Sequence, residues 1–124
     1  MRIAATLLIL ALTACTRPVS PATDPLAQQV AGRVAGPEQA CVNQMLGENL
    51  RVVDSRTLAY GRGPTIYVNR FPGPCPGLET ISTVFVERHG SQYCRGDLIR
   101  AREPGAIIAG PTCNLGNWVP YRRP

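Results

Sequence analysis

Thr57-Leu58-Ala59-Tyr60, Gly61-Arg62-Gly63-Pro64 and Thr65-Ile66-Tyr67-Val68-Asn69-Arg70 run one after another, and their reading decides the fold class. The outer two stretches are rich in β-formers. The middle one holds two glycines and a proline, a strong turn signal. Thr65 to Arg70 alternates with period two, placing Ile66 and Val68 on one face and Thr65, Tyr67 and Asn69 on the other. Strand, turn, strand is the pattern of an antiparallel hairpin.

The same grammar extends outward. Arg51-Val52-Val53 precedes a turn at Asp54-Ser55-Arg56. Phe71 to Gly77 is a loop, because Pro72, Pro74 and Pro76 exclude a central strand. Ile81 to Glu87 alternates again, with Ile81, Thr83, Phe85 and Glu87 on one face. His89-Gly90-Ser91 turns the chain and Tyr93-Cys94 returns it. Asp97 to Glu103 is a further strand, Pro104-Gly105 a further turn, and Ile107-Ile108-Ala109 a brief pairing segment. Thr112 to Tyr121 closes the domain. Short strands at this spacing predict a mainly β fold, a small antiparallel sandwich or partly open barrel. Near the start, Gly36-Pro37-Glu38 resembles a helix opening. Two helical turns over Gln39 to Leu46 are expected, carrying Cys41 inward and ending at Gly47.

Ahead of this domain stands an export signal. Arg2 supplies a positive charge, Ile3 to Leu12 is apolar, and small residues precede Cys15. The run is too short for a transmembrane helix, which needs about 20 apolar residues. Leu12-Thr13-Ala14-Cys15 resembles the lipobox of bacterial lipoproteins. That resemblance implies loss of residues 1–14 and acylation of Cys15, with a membrane anchor as the consequence. Thr16, rather than Asp, after the cysteine favours the periplasmic face of the outer membrane over the inner membrane among lipoproteins of this kind. Residues 15–36, with five Pro or Gly and no aromatic, are expected to be the lipidated cysteine and its tether. Within them Asp24-Pro25 is suited to cap a short helix placing Leu26, Val30 and Val34 on one face. Residues 37–124 are expected to form the domain.

Four cysteines then remain, Cys41, Cys75, Cys94 and Cys113, an even number in a chain sent to an oxidising compartment. Two disulfides follow. The separations of 34, 19 and 19 residues contain no close ligand pair, and there is a single histidine, so a zinc site is not expected. Three pairings are open. The preferred one is Cys41–Cys94 with Cys75–Cys113.

The net charge of +5 sits largely in the tails, and every basic residue is arginine. Between Cys41 and Cys113 eight arginines face six acids. This is no nucleic-acid footprint. Arginine's planar fork does suit carboxylate and phosphate. No phosphate loop, nucleophile elbow or haem motif is present, and no cofactor is expected. His89 lies in a turn without an evident orienting partner for general-base work. Asp54 and Asp97 suit turn capping. Arg95-Gly96-Asp97 spells an adhesion tripeptide but overlaps a tight turn. Cys75-Pro76-Gly77 lacks the second cysteine of a redox pair. Tyr60, Tyr67, Tyr93, Trp118 and Tyr121 are core candidates first. The best ligand-surface candidates are Tyr67, Asn69 and Arg70, although in an ideal strand Arg70 does not share Tyr67's face.

Taken in order, Cys41-Val42, Arg51-Val52-Val53-Asp54-Ser55-Arg56-Thr57, Tyr67-Val68-Asn69-Arg70, Cys75-Pro76-Gly77-Leu78, Cys94-Arg95-Gly96-Asp97-Leu98-Ile99 and Cys113-Asn114-Leu115-Gly116-Asn117-Trp118-Val119-Pro120 form a set. The set resembles a family of small exported Gram-negative proteins known only as a domain of unknown function. The resemblance covers about residues 32 to 123 and implies an exported, cysteine-paired domain. It hands over no catalytic residues. The expected function is therefore a lipid-anchored envelope protein, non-catalytic, that binds an envelope protein or glycan or supports envelope structure. A small periplasmic enzyme or enzyme inhibitor is the alternative.

Overall fold

The hairpin at the centre of the sequence is also the centre of the structure. A computed structural model describes residues 23–124; the export segment and Cys15 lie outside the described residues. The elements are α1 (Pro25–Gln29), β1 (Val34–Ala35), β2 (Cys41–Asn43), β3 (Arg51–Asp54), β4 (Thr57–Tyr60), β5 (Thr65–Arg70), β6 (Thr83–Glu87), β7 (Gln92–Cys94), β8 (Leu98–Arg102), β9 (Cys113–Asn114) and β10 (Trp118–Arg122). Strands β4 and β5 pair antiparallel, Ala59 opposite Val68. They lie inside a five-stranded sheet of order β1-β10-β5-β4-β3. A two-stranded sheet, β2-β7, and a three-stranded sheet, β6-β8-β9, complete the fold. All pairings are antiparallel, and the sheets do not close into a barrel.

Period-two alternation sends the side chains of the large sheet into two cores. Leu58, Tyr60 and Trp118 pack with Val42, Leu78, Ile99 and Ala101 from the smaller sheets and their loops. Tyr60 stacks edge-on against Tyr93, with centroids 5.2 Å apart. Its hydroxyl accepts the Met45 N–H at 2.7 Å, which satisfies the one polar atom of a fully buried ring. Ala59, Ile66 and Val68 point the opposite way, to a second cluster with Val53 and Leu26. Strand β4 is consequently buried on both faces.

Both disulfides are the preferred pair. Cys41 faces Cys94 directly across β2 and β7, and Cys75 joins Cys113. They tie the Phe71–Gly77 loop and the early segment of the domain to the later strands.

Three expectations change. Residues 39–46 are not helical. Backbone N–H groups of Gln39 and Trp118 each donate to the other's carbonyl at 2.8 Å, and Cys41–Asn43 pairs with β7. Non-local pairing overrides the local start and stop signals. The one short helix is instead α1, capped as the sequence suggests: Asp24 Oδ1 accepts the Leu26 N–H at 3.0 Å.

The second change concerns the tether. Leu26 is only 6% exposed and covers the back of the large sheet, and Ala35 pairs with Tyr121. Residues 24–35 thus belong to the folded body, because the sheet's second apolar face needs a cover. Third, Ile107-Ile108-Ala109 forms no strand, and both isoleucines are exposed.

Candidate functional site

Of the three residues picked as a ligand surface, the structure leaves Arg70 exposed, Tyr67 half-buried against the first core, and Asn69 fully enclosed at 0% exposure. Asn69 is therefore not a surface residue. Its amide donates to the Gly116 carbonyl at 2.8 Å and accepts the Gly116 N–H at 2.9 Å. A strand amide read as a contact for ligand is a brace for the backbone.

Arg70 stands at the end of β5, on the ridge between two shallow concavities. One, of about 200 Å³, has an apolar floor of Val68 and Val119 and a rim of Arg70, Tyr121, Glu38 and Asn117. The other, of about 410 Å³, is formed by the Asp54–Thr57 turn, Arg70 and Phe71. A third, of about 570 Å³, continues past Phe71 along Pro72–Pro74 and Thr112–Gly116 and is bordered by Arg95. All three are open to solvent. Arg70 is common to the first and second and Phe71 to the second and third, so the three adjoin in turn at one pole of the molecule.

Local structure explains why the pole holds its shape. Asp54 Oδ1 accepts the Arg56 N–H at 2.8 Å, an Asx turn. Phe71 and Cys75 donate backbone bonds to the Arg56 and Ser55 carbonyls, each at 2.8 Å, so the proline-rich loop is sewn to that turn. The Arg56 guanidinium reaches the Pro72 carbonyl at 2.8 Å. Arg95 donates to Asn117 Oδ1 at 3.3 Å, and Asn117 in turn donates to Glu38 at 2.9 Å.

Placement of charge distinguishes this pole. Elsewhere Glu48 pairs with Arg51 and Arg62, and Glu87 with Arg100. Among the described residues, Arg56, Arg70 and Arg95 form no ion pair with a carboxylate. Among the same residues Arg33, Arg88, Arg102, Arg122 and Arg123 also lack a carboxylate partner, so what sets the pole apart is that its three arginines line adjoining concavities. Three exposed guanidinium groups with spare N–H donors are suited to a phosphate or carboxylate, whose oxygens accept paired N–H bonds.

The remaining candidates have structural roles. Asp97 is 6% exposed and its Oδ2 accepts the Cys94 N–H at 2.8 Å, so the acid of the Arg95-Gly96-Asp97 tripeptide is turned inward. Gly96, at φ 91°, makes that turn with a backbone shape that side chains rarely adopt. His89, whose expected lack of a partner rested on sequence alone, lies 3.7 Å from Asp97 Oδ1. That exceeds hydrogen-bond length, and the imidazole is 93% exposed. Tyr60, Tyr93 and Trp118 are core, not a binding face. No group of three or more potential metal-ligating side chains occurs among the described residues.

Sequence reasoning missed Arg56 and Arg95 as companions of Arg70. They are far apart along the chain, and only strand order brings their turns together. Comparisons with protein-family models, curated proteins and solved structures give no match.

Proposed function

We propose that the chain is an exported, lipid-anchored envelope protein whose domain binds, without catalysis, an anionic group presented by an envelope ligand. The observation that carries the binding reading is the pole where Arg56, Arg70 and Arg95 face solvent without carboxylate partners. Glu38 and Asp54 line the same concavities and keep their charge. Their carboxylates, however, accept from Asn117 and from the Arg56 backbone N–H and pair with no arginine, which leaves three guanidinium groups against two acids. The export reading is supported by Leu12-Thr13-Ala14-Cys15 and by two disulfides, which persist in an oxidising compartment.

Two measurements test the proposal separately. Cells grown with labelled palmitate should yield a labelled chain, and Cys15→Ser should remove the label; an unlabelled parent chain contradicts the anchor. Chromatography on a phosphate-bearing resin tests the pole. R56Q/R70Q should elute at clearly lower salt than R122Q/R123Q, which removes the same charge from the exposed C-terminus. Equal elution contradicts the binding reading.

A further inference from the structure

Every open sheet leaves edges, and this fold protects its edges unequally. The large sheet ends in β1, only two residues long, and in β3, whose pairing is broken by a bulge between Val52 and Asp54. Strand β9 has two residues, and β2 and β7 three each. Short length and bulging are the usual ways to blunt a free edge. Strand β6 has neither device. It runs for five residues, Thr83-Val84-Phe85-Val86-Glu87, with no proline, glycine or lysine. Among the described residues it pairs with β8 alone, so its other edge offers unpaired backbone donors and acceptors.

We propose that β6 pairs antiparallel with β6 of a second copy of this chain, centred on Phe85. The sequence of the strand is self-complementary in that register. Phe85 meets its own counterpart, Val84 meets Val86, and Thr83 meets Glu87. Phe85 is 42% exposed on the outer face, where the Arg102 guanidinium lies over its ring at 5.1 Å, and pairing would cover the part of the ring that remains in water. Charge agrees as well. Arg102 lies beside Thr83 on β8, and Thr83 would face Glu87 of the second copy. Adjacent strands are about 4.8 Å apart, which brings Glu87 of one copy about 10 Å from Arg102 of the other between Cα atoms, within reach of both long side chains. The contact is isologous and closes as a dimer.

Disulfide trapping in the full-length chain reads this register. Phe85→Cys should give a reductant-sensitive dimer under mild oxidation, at least tenfold above Arg100→Cys. Arg100 shares the outer face but sits one strand inward, so its counterpart would be about 14 Å away, too far for a disulfide. Thr83→Cys mixed with Glu87→Cys should crosslink, while each alone should not. This second pair guards against misfolding caused by the loss of Phe85. Crosslinking of Phe85→Cys at the Arg100→Cys level, failure of the Thr83/Glu87 mixture, or a disulfide adduct with a different protein would each overturn self-pairing. None of these outcomes bears on the arginine pole.

Discussion

The Asn69 side chain and the Gly116 peptide exchange two hydrogen bonds, at 2.8 and 2.9 Å, across 47 residues of sequence. A buried amide thereby fixes the link between β9 and β10 against the end of β5. That link carries Asn117, which holds Arg95, while β5 ends in Arg70. The brace sets the spacing of the cationic pole.

Replacing Asn69 by Leu should therefore cost about 2–4 kcal/mol, the loss of two hydrogen bonds together with the desolvated Gly116 groups left unpaired. Gly116→Ala should cost about 1–3 kcal/mol through overpacking, since an added Cβ would stand 2.9 Å from the Arg70 carbonyl oxygen. Urea denaturation measures both. Because the two residues share one contact, the double variant should fall short of the sum.

The segment from Asp24 to Ala35 should behave as part of the domain. Leu26→Ala removes the main apolar side chain of α1 from the back of the sheet and should destabilise by about 2–3 kcal/mol. Hydrogen exchange should also accelerate at Val30 and at Arg33, whose N–H groups donate to the Leu26 and Val30 carbonyls. An unchanged denaturation midpoint would return this segment to the tether.

The disulfides close spans of 53 and 38 residues. On the loop-closure model each stabilises by about 4 kcal/mol. Small domains are stable by only about 5–15 kcal/mol in total. Reduction should unfold the domain at ordinary temperature, read as loss of near-ultraviolet dichroism from Trp118 and Tyr60. Retention of that signal in reductant would show that the hydrophobic cores suffice.

Burial, and next the neighbouring Tyr60, push the Tyr93 phenol above its ordinary value, with Arg88 opposing. The folded state thus holds this proton more tightly than the unfolded chain. The linked stability is complete below the unfolded value of about 10 and is lost as the pH rises through the folded one. Above about pH 10 the melting temperature of the parent should drop more steeply than that of Tyr93→Phe. Parallel curves would contradict the shift.

Residues 57–70 reveal their fold in sequence because both their period and their turn are local. The four cysteines are legible for a similar reason: their even number, taken with the expected export, carries the message without coordinates. What fails is whatever depends on distant partners. Gly36-Pro37 and Gly47 imitate helix boundaries, but Gln39 and Cys41 are claimed by Trp118 and Cys94. The short helix bearing Leu26 is legible from Asp24-Pro25, but nothing local shows that its apolar face covers the back of β4 and β5 rather than standing in a tether. Asn69 looks like a surface polar residue on a strand, since nothing local shows that Gly116 will enclose it. The pole is the extreme case, with Arg56, Arg70 and Arg95 on three separate turns or strand ends that only the topology gathers.

The most direct test of the pole follows the arginine side-chain Nε–H resonances of the full-length protein while inorganic phosphate is added at constant ionic strength. Arg56, Arg70 and Arg95 should shift together and saturate with one common Kd, while Arg122 and Arg123 stay still. Small, unsaturating shifts of equal size at every arginine would mean that phosphate only screens charge, and the binding account would fall.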